Sequence, residues 1–251
     1  MSDFFHAPDD WIIPAWPVPP HVRALVTTRA GGVSSPPFDS LNLGFATEDA
    51  ASAVAENRRR LRMLLPQEPR WLKQVHGAHV VSAESVRESP EADAAIARER
   101  NTVCAILIAD CLPVLFSDRE GTIVAAAHAG WRGLAAGVLE NTVDTMTAAG
   151  VAADHIIAYI GPAIGPYAFE VGNEVRAAYV DRDGGAADAF SPHGAGKWLA
   201  DLPRLARRAL ARRGVTAIFG GNLCTYSDPK RFYSYRRDKV TGRMAAMIWR
   251  E

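Results

Sequence analysis

Residues 102–130, TVCAILIADCLPVLFSDREGTIVAAAHAG, hold two continuous apolar runs, 102–118 and 122–130, joined by a short polar turn. Runs of this kind read as neighbouring buried strands, and they commit the chain to a sheet at its centre. Polar residues inside such runs stand out. Asp110 and Cys111 interrupt the first, and His128 sits in the second just before Gly130 and the start of a helical pattern.

The flanking segments mix strands and helices without strict alternation. HVRALVTTR (21–29) reads as a strand, RAGGVSSPPFDSLNLG (29–44) as a long functional loop, and AVAENRRRLRMLL (53–65) as a helix. WLKQVHGAHVVSA (71–83) is strand-like on both sides of Gly77. Trp131–Ala149 has helical spacing, closed by Gly150. HIIAYIGPAIG (155–165) reads as a buried strand, Asn173–Val180 as a helix, and 197–214 as a helix limited or kinked by Pro203. A strand at TAIFGGNLCTY and a hairpin formed by FYSYRR and GRMAAMIW close the chain. The expected class is α+β, one domain of mixed sheets flanked by helices over residues 1–251, with its core at about 22–249.

Charge and cysteine usage narrow the function classes. Lys+Arg and Asp+Glu balance at 28 each, so no net field draws the protein to nucleic acid or to an anionic membrane. No apolar stretch is long enough to span a bilayer, and the acidic opening MSDFFHAPDDW lacks the order of a secretory signal. Three cysteines, Cys104, Cys111 and Cys224, suit reduced thiols in a cytoplasmic protein better than a disulfide framework. The sequence does not set an oligomeric state.

Three metal-competent side chains fall where strands yield to special local geometry: His76 before Gly77, Cys111 after Asp110, and His128 before Gly130. Ends of three strands in one sheet could converge, although spacings of 35 and 17 residues match no local zinc-finger pattern. The residues alone leave other readings open: core histidines with a small buried cysteine, or a Cys–His nucleophile pair.

TTRAGGVS (27–34), LNLG (41–44), QVHG (74–77), ADCLPVLF (109–116), HAGWRG (128–133), IGPAIGPYAFEV (160–171) and CTYSDPKRFYSYRRDKVTGRMAA (224–246) occur in this order. Together they resemble the multicopper polyphenol oxidoreductase (laccase-type) family, also called peptidoglycan editing factor, over about Val22 to Trp249. The family's IGP segment commonly carries extra cysteines where this chain has Ala163, Tyr167, Ala168 and Phe169.

The resemblance implies a zinc site of His76, Cys111 and His128. It also implies phosphorolysis of adenosine, inosine or guanosine to a free base and ribose 1-phosphate, with adenosine deamination and methylthioadenosine cleavage beside it. Two imidazoles and a thiolate suit Zn²⁺ and leave one tetrahedral position open. The same set could hold Cu²⁺ if an axial thioether lay near. A multicopper oxidase needs many more imidazoles than this chain's seven histidines provide, and His79 is expected to face away from His76.

For the partners, purine nucleoside and phosphate, Arg132 at a helix start and Arg29 at the RAGG loop are the candidate anion-binding residues, with Asn42 a further substrate-binding candidate that could instead brace a turn. Asp110 and Glu170 are the candidate proton carriers, with Arg132 a third catalytic candidate; Asp110 could equally orient a histidine. Arg236 and Arg237 read as hairpin pins and Cys224 as core. Two other enzymes fit the same residues: an amide hydrolase editing cell-wall precursors, and a copper-dependent polyphenol oxidase.

Overall fold

The computed structural model describes residues 8–251; His6 and most of the opening segment read above for a secretory pattern lie outside them. In chain order the first half comprises β1 (Val22–Val26), α1 (Ala51–Arg62), β2 (Val80–Ser82), β3 (Ala94–Ala97), β4 (Cys104–Ile108), β5 (Leu112–Asp118) and β6 (Val124–Ala129). Then follow α2 (Trp131–Ala136), α3 (Val138–Ala148), β7 (Ile156–Ile160), β8 (Glu170–Gly172), α4 (Asn173–Val180) and β9 (Phe190–Pro192). The last elements are β10 (Lys197–Ala200), α5 (Leu202–Arg212), β11 (Ala217–Gly220), α6 (Tyr235–Asp238) and β12 (Met244–Arg250).

A six-stranded mixed sheet runs in the order β11-β7-β5-β6-β3-β2, and a three-stranded antiparallel sheet runs β1-β12-β4. A smaller sheet orders β8-β10-β9. This is the expected α+β architecture of mixed sheets with flanking helices. Period-two alternation assigns the faces. On β5 and β6, Val114, Phe116, Ala125 and Ala127 pack with Leu139, Met146 and Leu205 of the helices. Leu115, Val124 and Ala126 pack instead against Ile106, Met244 and Ile248 of the smaller antiparallel sheet. That sheet's other face, with Ala105, Ala245 and Met247, covers Leu61 of α1 and Leu41 and Leu43 of the long loop. The central strands are therefore apolar throughout because both their faces are covered.

Several expectations change. The apolar run 102–118 is two strands in different sheets, because Asp110 takes a left-handed conformation (φ 90°) and turns the chain from β4 into β5. The helix expected over Trp131–Ala149 is broken at Gly137 (φ 96°) into α2 and α3. Residues 197–214 begin as β10, and only then does Asp201 cap α5 by accepting from the Arg204 amide. Pro203 lies in that first turn, where its missing N–H is harmless, so it does not kink the helix. The closing hairpin does not form: residues 235–238 are helical, and β12 pairs with β1 and β4. Residues 71–76 hold an isolated bridge at Lys73 rather than a strand.

Candidate metal centre

Strand register assembles most of the site. The β5–β6 ladder opposes Pro113 to His128 and Leu112 to Ala129, which brings Cys111 beside Gly130. The β3–β6 ladder opposes Ala94 to Ala127, which brings Asp93 beside His128; the His128 amide donates to the Asp93 carbonyl at 2.7 Å. By parity His128 shares the face of Val124 and Ala126, between the two larger sheets. The third member, His76, arrives from a loop rather than from a strand end, with φ at 60°.

One ligand atom from each of His76, Cys111 and His128 lies within 4.8 Å of the other two. His76 Nε2 is 3.7 Å from Cys111 Sγ, and the imidazole centroids are 4.9 Å apart at 75°. A nitrogen and a sulfur bound to one tetrahedral zinc are separated by about 3.6 Å, so the triangle already has the span of a metal site. His79 stands outside this group and is exposed.

Asp93, fully buried, holds two of the three candidates. Its Oδ1 pairs with His128 Nδ1 at 2.8 Å and accepts from the His76 amide at 3.0 Å, while Oδ2 accepts from Gly77 and Val75 at 2.6 and 3.2 Å. With Nδ1 engaged, His128 keeps Nε2 for a metal. Burial alone would raise the Asp93 carboxyl, but the His128 hydrogen bond and the Gly77 amide hold it below the usual range.

Burial likewise opposes ionisation of Cys111, yet His128 and His76 outweigh it and bring the thiol down to about 6. Burial works against the His128 cation too; the Cys111 thiolate and Asp93 overcome this and raise it to about 9. Without metal the pair is thus a thiolate facing an imidazolium. Space is also reserved: a Cβ on Gly130 would come 2.8 Å from His76 Cδ2 and 3.0 Å from Cys111 Sγ. A Cβ on Gly133 would lie 2.7 Å from the Gly77 carbonyl, so α2 packs directly on the His76 turn.

The triangle opens onto a cleft of about 430 Å³ whose walls include Leu72, Gln74, Leu107, Tyr235 and Arg243. A second lobe of about 120 Å³ on the other side of Cys111 is walled by Trp131, Ile164, Phe169 and Arg236. Gln74 is fixed by a two-way bond with Leu107, donating to its carbonyl at 2.8 Å and accepting from its amide at 2.7 Å.

Other residues singled out from the sequence are placed differently. Asp110 reaches the smaller lobe, but it orients no histidine: Oδ1 accepts from Thr225 Oγ1 and Oδ2 from the Arg236 amide, both at 2.6 Å. Glu170 is exposed on β8, 3.6 Å from His193 Nε2, and lines neither lobe. Arg132 is exposed, stacked on Trp131, and also lines neither. Arg29 is spent on structure, bonding to Asp39 and the Pro229 carbonyl over the Tyr233 ring. Asn42 is a buried brace: Oδ1 accepts from Gly44 and Arg243, and Nδ2 donates to Thr47 and Asp49.

Arg237 pins the Thr225, Tyr226 and Phe232 carbonyls and pairs with Asp238. Cys224 is half-buried and accepts from the Gly165 amide. Sequence reasoning missed Asp93 and Arg243. A carboxylate inside the apolar segment ADAAIA, and an arginine opening the apolar strand MAAMIWR, were the available signals.

A mixed-sheet α+β protein with a two-histidine, one-cysteine centre capable of holding a metal is the class these observations define. The chain belongs to the family described as multi-copper polyphenol oxidoreductase laccase, which it matches over residues 23–251. It is 56% identical to a purine nucleoside phosphorylase of Pseudomonas aeruginosa, covering 95% of this chain and 98% of that one. It is 54% identical to the purine nucleoside phosphorylase YfiH of Escherichia coli, with the same coverage of both chains. Among solved structures, the Neisseria meningitidis protein NMB0706 superposes with a TM-score of 0.93 at 47% identity, covering 97% of this chain and all of that one. YlmD from Geobacillus stearothermophilus gives 0.87 at 31% identity, with 99% of both chains covered.

Proposed function

We propose that this protein is a zinc-dependent purine nucleoside phosphorylase, converting adenosine, inosine or guanosine and phosphate to a free base and ribose 1-phosphate. The observation that carries the reading is the His76–Cys111–His128 triangle with one corner open to a two-lobed cleft, in a chain whose relatives bear that name. Two nitrogens and a sulfur suit zinc, which when bound supplies a Lewis-acid charge beside the reacting atoms.

Phosphorolysis forms a bond between a phosphate oxygen and the ribose anomeric carbon. The glycosidic bond breaks, and its electrons leave with the purine, which takes up a proton. The chain's own residues position these partners. Asp93 fixes the His128 imidazole and the His76 backbone, and Trp131, Phe169 and Tyr235 offer aromatic surface to a planar base. Asp110, with both oxygens engaged, holds the wall that carries Tyr235 and Arg236.

Purified protein incubated with inosine should release hypoxanthine only when phosphate is present; release that ignores phosphate overturns the proposal. Ammonia release from adenosine reads out the deamination that the family resemblance also implies. Metal analysis should find zinc. Consumption of an amino-acid-bearing muramic precursor without nucleoside turnover would turn the reading to amide hydrolysis. The copper oxidase reading lacks support in the side chains, since the described residues hold a single His/Cys/Asp/Glu group close enough for a metal and none that would make a trinuclear cluster.

A further inference from the structure

Arginines around the cleft are mostly committed. Arg29 pairs with Asp39, Arg237 with Asp238, and Arg231 with Asp228, while Arg236, which lines only the smaller lobe, donates Nη1 to the Glu170 carbonyl and has no carboxylate partner among the described residues. Lys73, at the cleft edge, pairs with Glu91. Arg243 differs. Its Nη1 donates to the carbonyls of Thr241 and Gly242, at 2.9 Å each, and its amide donates to Asn42 Oδ1 at 2.8 Å. Nε and Nη2 have no protein partner among the described residues, and no carboxylate forms an ion pair with the guanidinium. These two nitrogens form one edge of the guanidinium fork, the edge that meets a carboxylate or phosphate with two parallel bonds.

Its surroundings leave that edge without a counter-charge. Burial pushes the Arg243 guanidinium below its usual range, and Cys111, Asp110 and Tyr235 are the titratable groups that face it. Asp110 is occupied by Thr225 and the Arg236 amide, and the Cys111 thiolate belongs to the metal corner. A half-buried cation with two free donors costs stability until an anion arrives. The anchor is rigid: Asn42 holds the backbone, and the stem packs so closely on the long loop that a Cβ on Gly44 would lie 2.7 Å from Arg243 Cγ.

We propose that Arg243 is the phosphate-binding residue of the cleft, gripping a phosphate dianion through Nε and Nη2 beside the metal corner, with orthophosphate as the ligand. The assignment rests on the phosphorylase reading and moves the anion site from Arg29 and Arg132 to a residue that shares the larger lobe with the ligand triangle.

The test uses the zinc-loaded enzyme. Arg243→Met should raise the KM for phosphate by roughly 10- to 100-fold while leaving the KM for inosine unchanged. Arg243→Lys, which keeps the charge and loses the fork, should fall between and serves if the methionine variant does not fold. An unchanged phosphate KM, or equal rises for both substrates, overturns the assignment. Calorimetric titration of orthophosphate without nucleoside separates the subsite from the reaction. If inosine is never cleaved, the proposed function fails, yet loss of phosphate binding in Arg243→Met still upholds the subsite and retained binding still overturns it. Inosine 5′-monophosphate distinguishes the two sources of a phosphate group. Its displacement by orthophosphate supports the proposal; binding that depends on Arg243 but resists orthophosphate assigns the arginine to a nucleotide and overturns it.

Discussion

His128 lies on a strand ladder with Asp93 and Cys111 directly beside it, whereas Asp110 in its left-handed turn, Tyr235 at the start of α6 and Arg243 just before β12 are tied together through side chains. On the ladder side, backbone pairing sets the positions, and one buried carboxylate adds the fine orientation. On the loop side, Asn42 alone joins Gly44, Thr47, Asp49 and Arg243, and Arg237 joins three carbonyls. A metal centre tolerates little displacement of its ligands, and ladders supply that rigidity. The Arg243 side of the cleft leans in addition on a few polar anchors, which single substitutions can remove.

The sharpest way to break this contrast is Cys111→Ser. It should remove zinc and reduce phosphorolysis to background, as measured by metal analysis and hypoxanthine release; full zinc retention with lost activity would make Cys111 a nucleophile instead. Asp93→Asn comes next. Losing the carboxylate that holds His128 and the 75–77 amides should weaken zinc binding by roughly 10- to 100-fold, read by competition with a chelator. Unchanged affinity would show that the ladders suffice alone.

Asn42→Ala probes the other wall. It should cost about 1–3 kcal/mol in denaturant unfolding and raise the phosphate KM, with zinc content intact. Loss of zinc in that variant would erase the distinction between the walls. Gly130→Ala should show the reverse pattern, destabilising by about 1–3 kcal/mol through overpacking against His76 and Cys111 and lowering zinc content.

The smallest effect concerns protons. In the metal-free protein Cys111 ionises near 6 and His128 keeps its proton up to about 9. A metal needs the neutral imidazole, so zinc binding near neutral pH should release about one proton from this pair, tending to none above 9 and gaining a second below 6. Zinc affinity therefore rises with pH through this window. Calorimetry in buffers of different ionisation enthalpy measures the proton count, and thiolate ultraviolet absorbance of the metal-free protein that first appears near 9 instead of near 6 contradicts the thiolate–imidazolium pair.

What the sequence revealed divides along the same line. The apolar runs made the central sheet and α4 legible, because burial and glycine placement are written locally; the His76–Cys111–His128 set was singled out by the family resemblance, the residues alone leaving other readings open. Asp93 was invisible because its role depends on a register that sets it opposite a residue 35 positions away. Asp110 attracted attention as a proton carrier, but adjacency to Cys111 in sequence could not reveal that its oxygens turn to Thr225 and Arg236. Period-based reading also overran at 197–214 and at the C-terminus. There the pattern for a helix absorbed β10, and the pattern for a hairpin absorbed α6.

The left-handed turn at Asp110 carries the polypeptide from one layer of the sandwich to the next immediately before the coordinating sulfur. Sliding of one layer over the other would therefore strain the Asp110 turn, while the β5–β6 ladder keeps that sulfur seated beside His128.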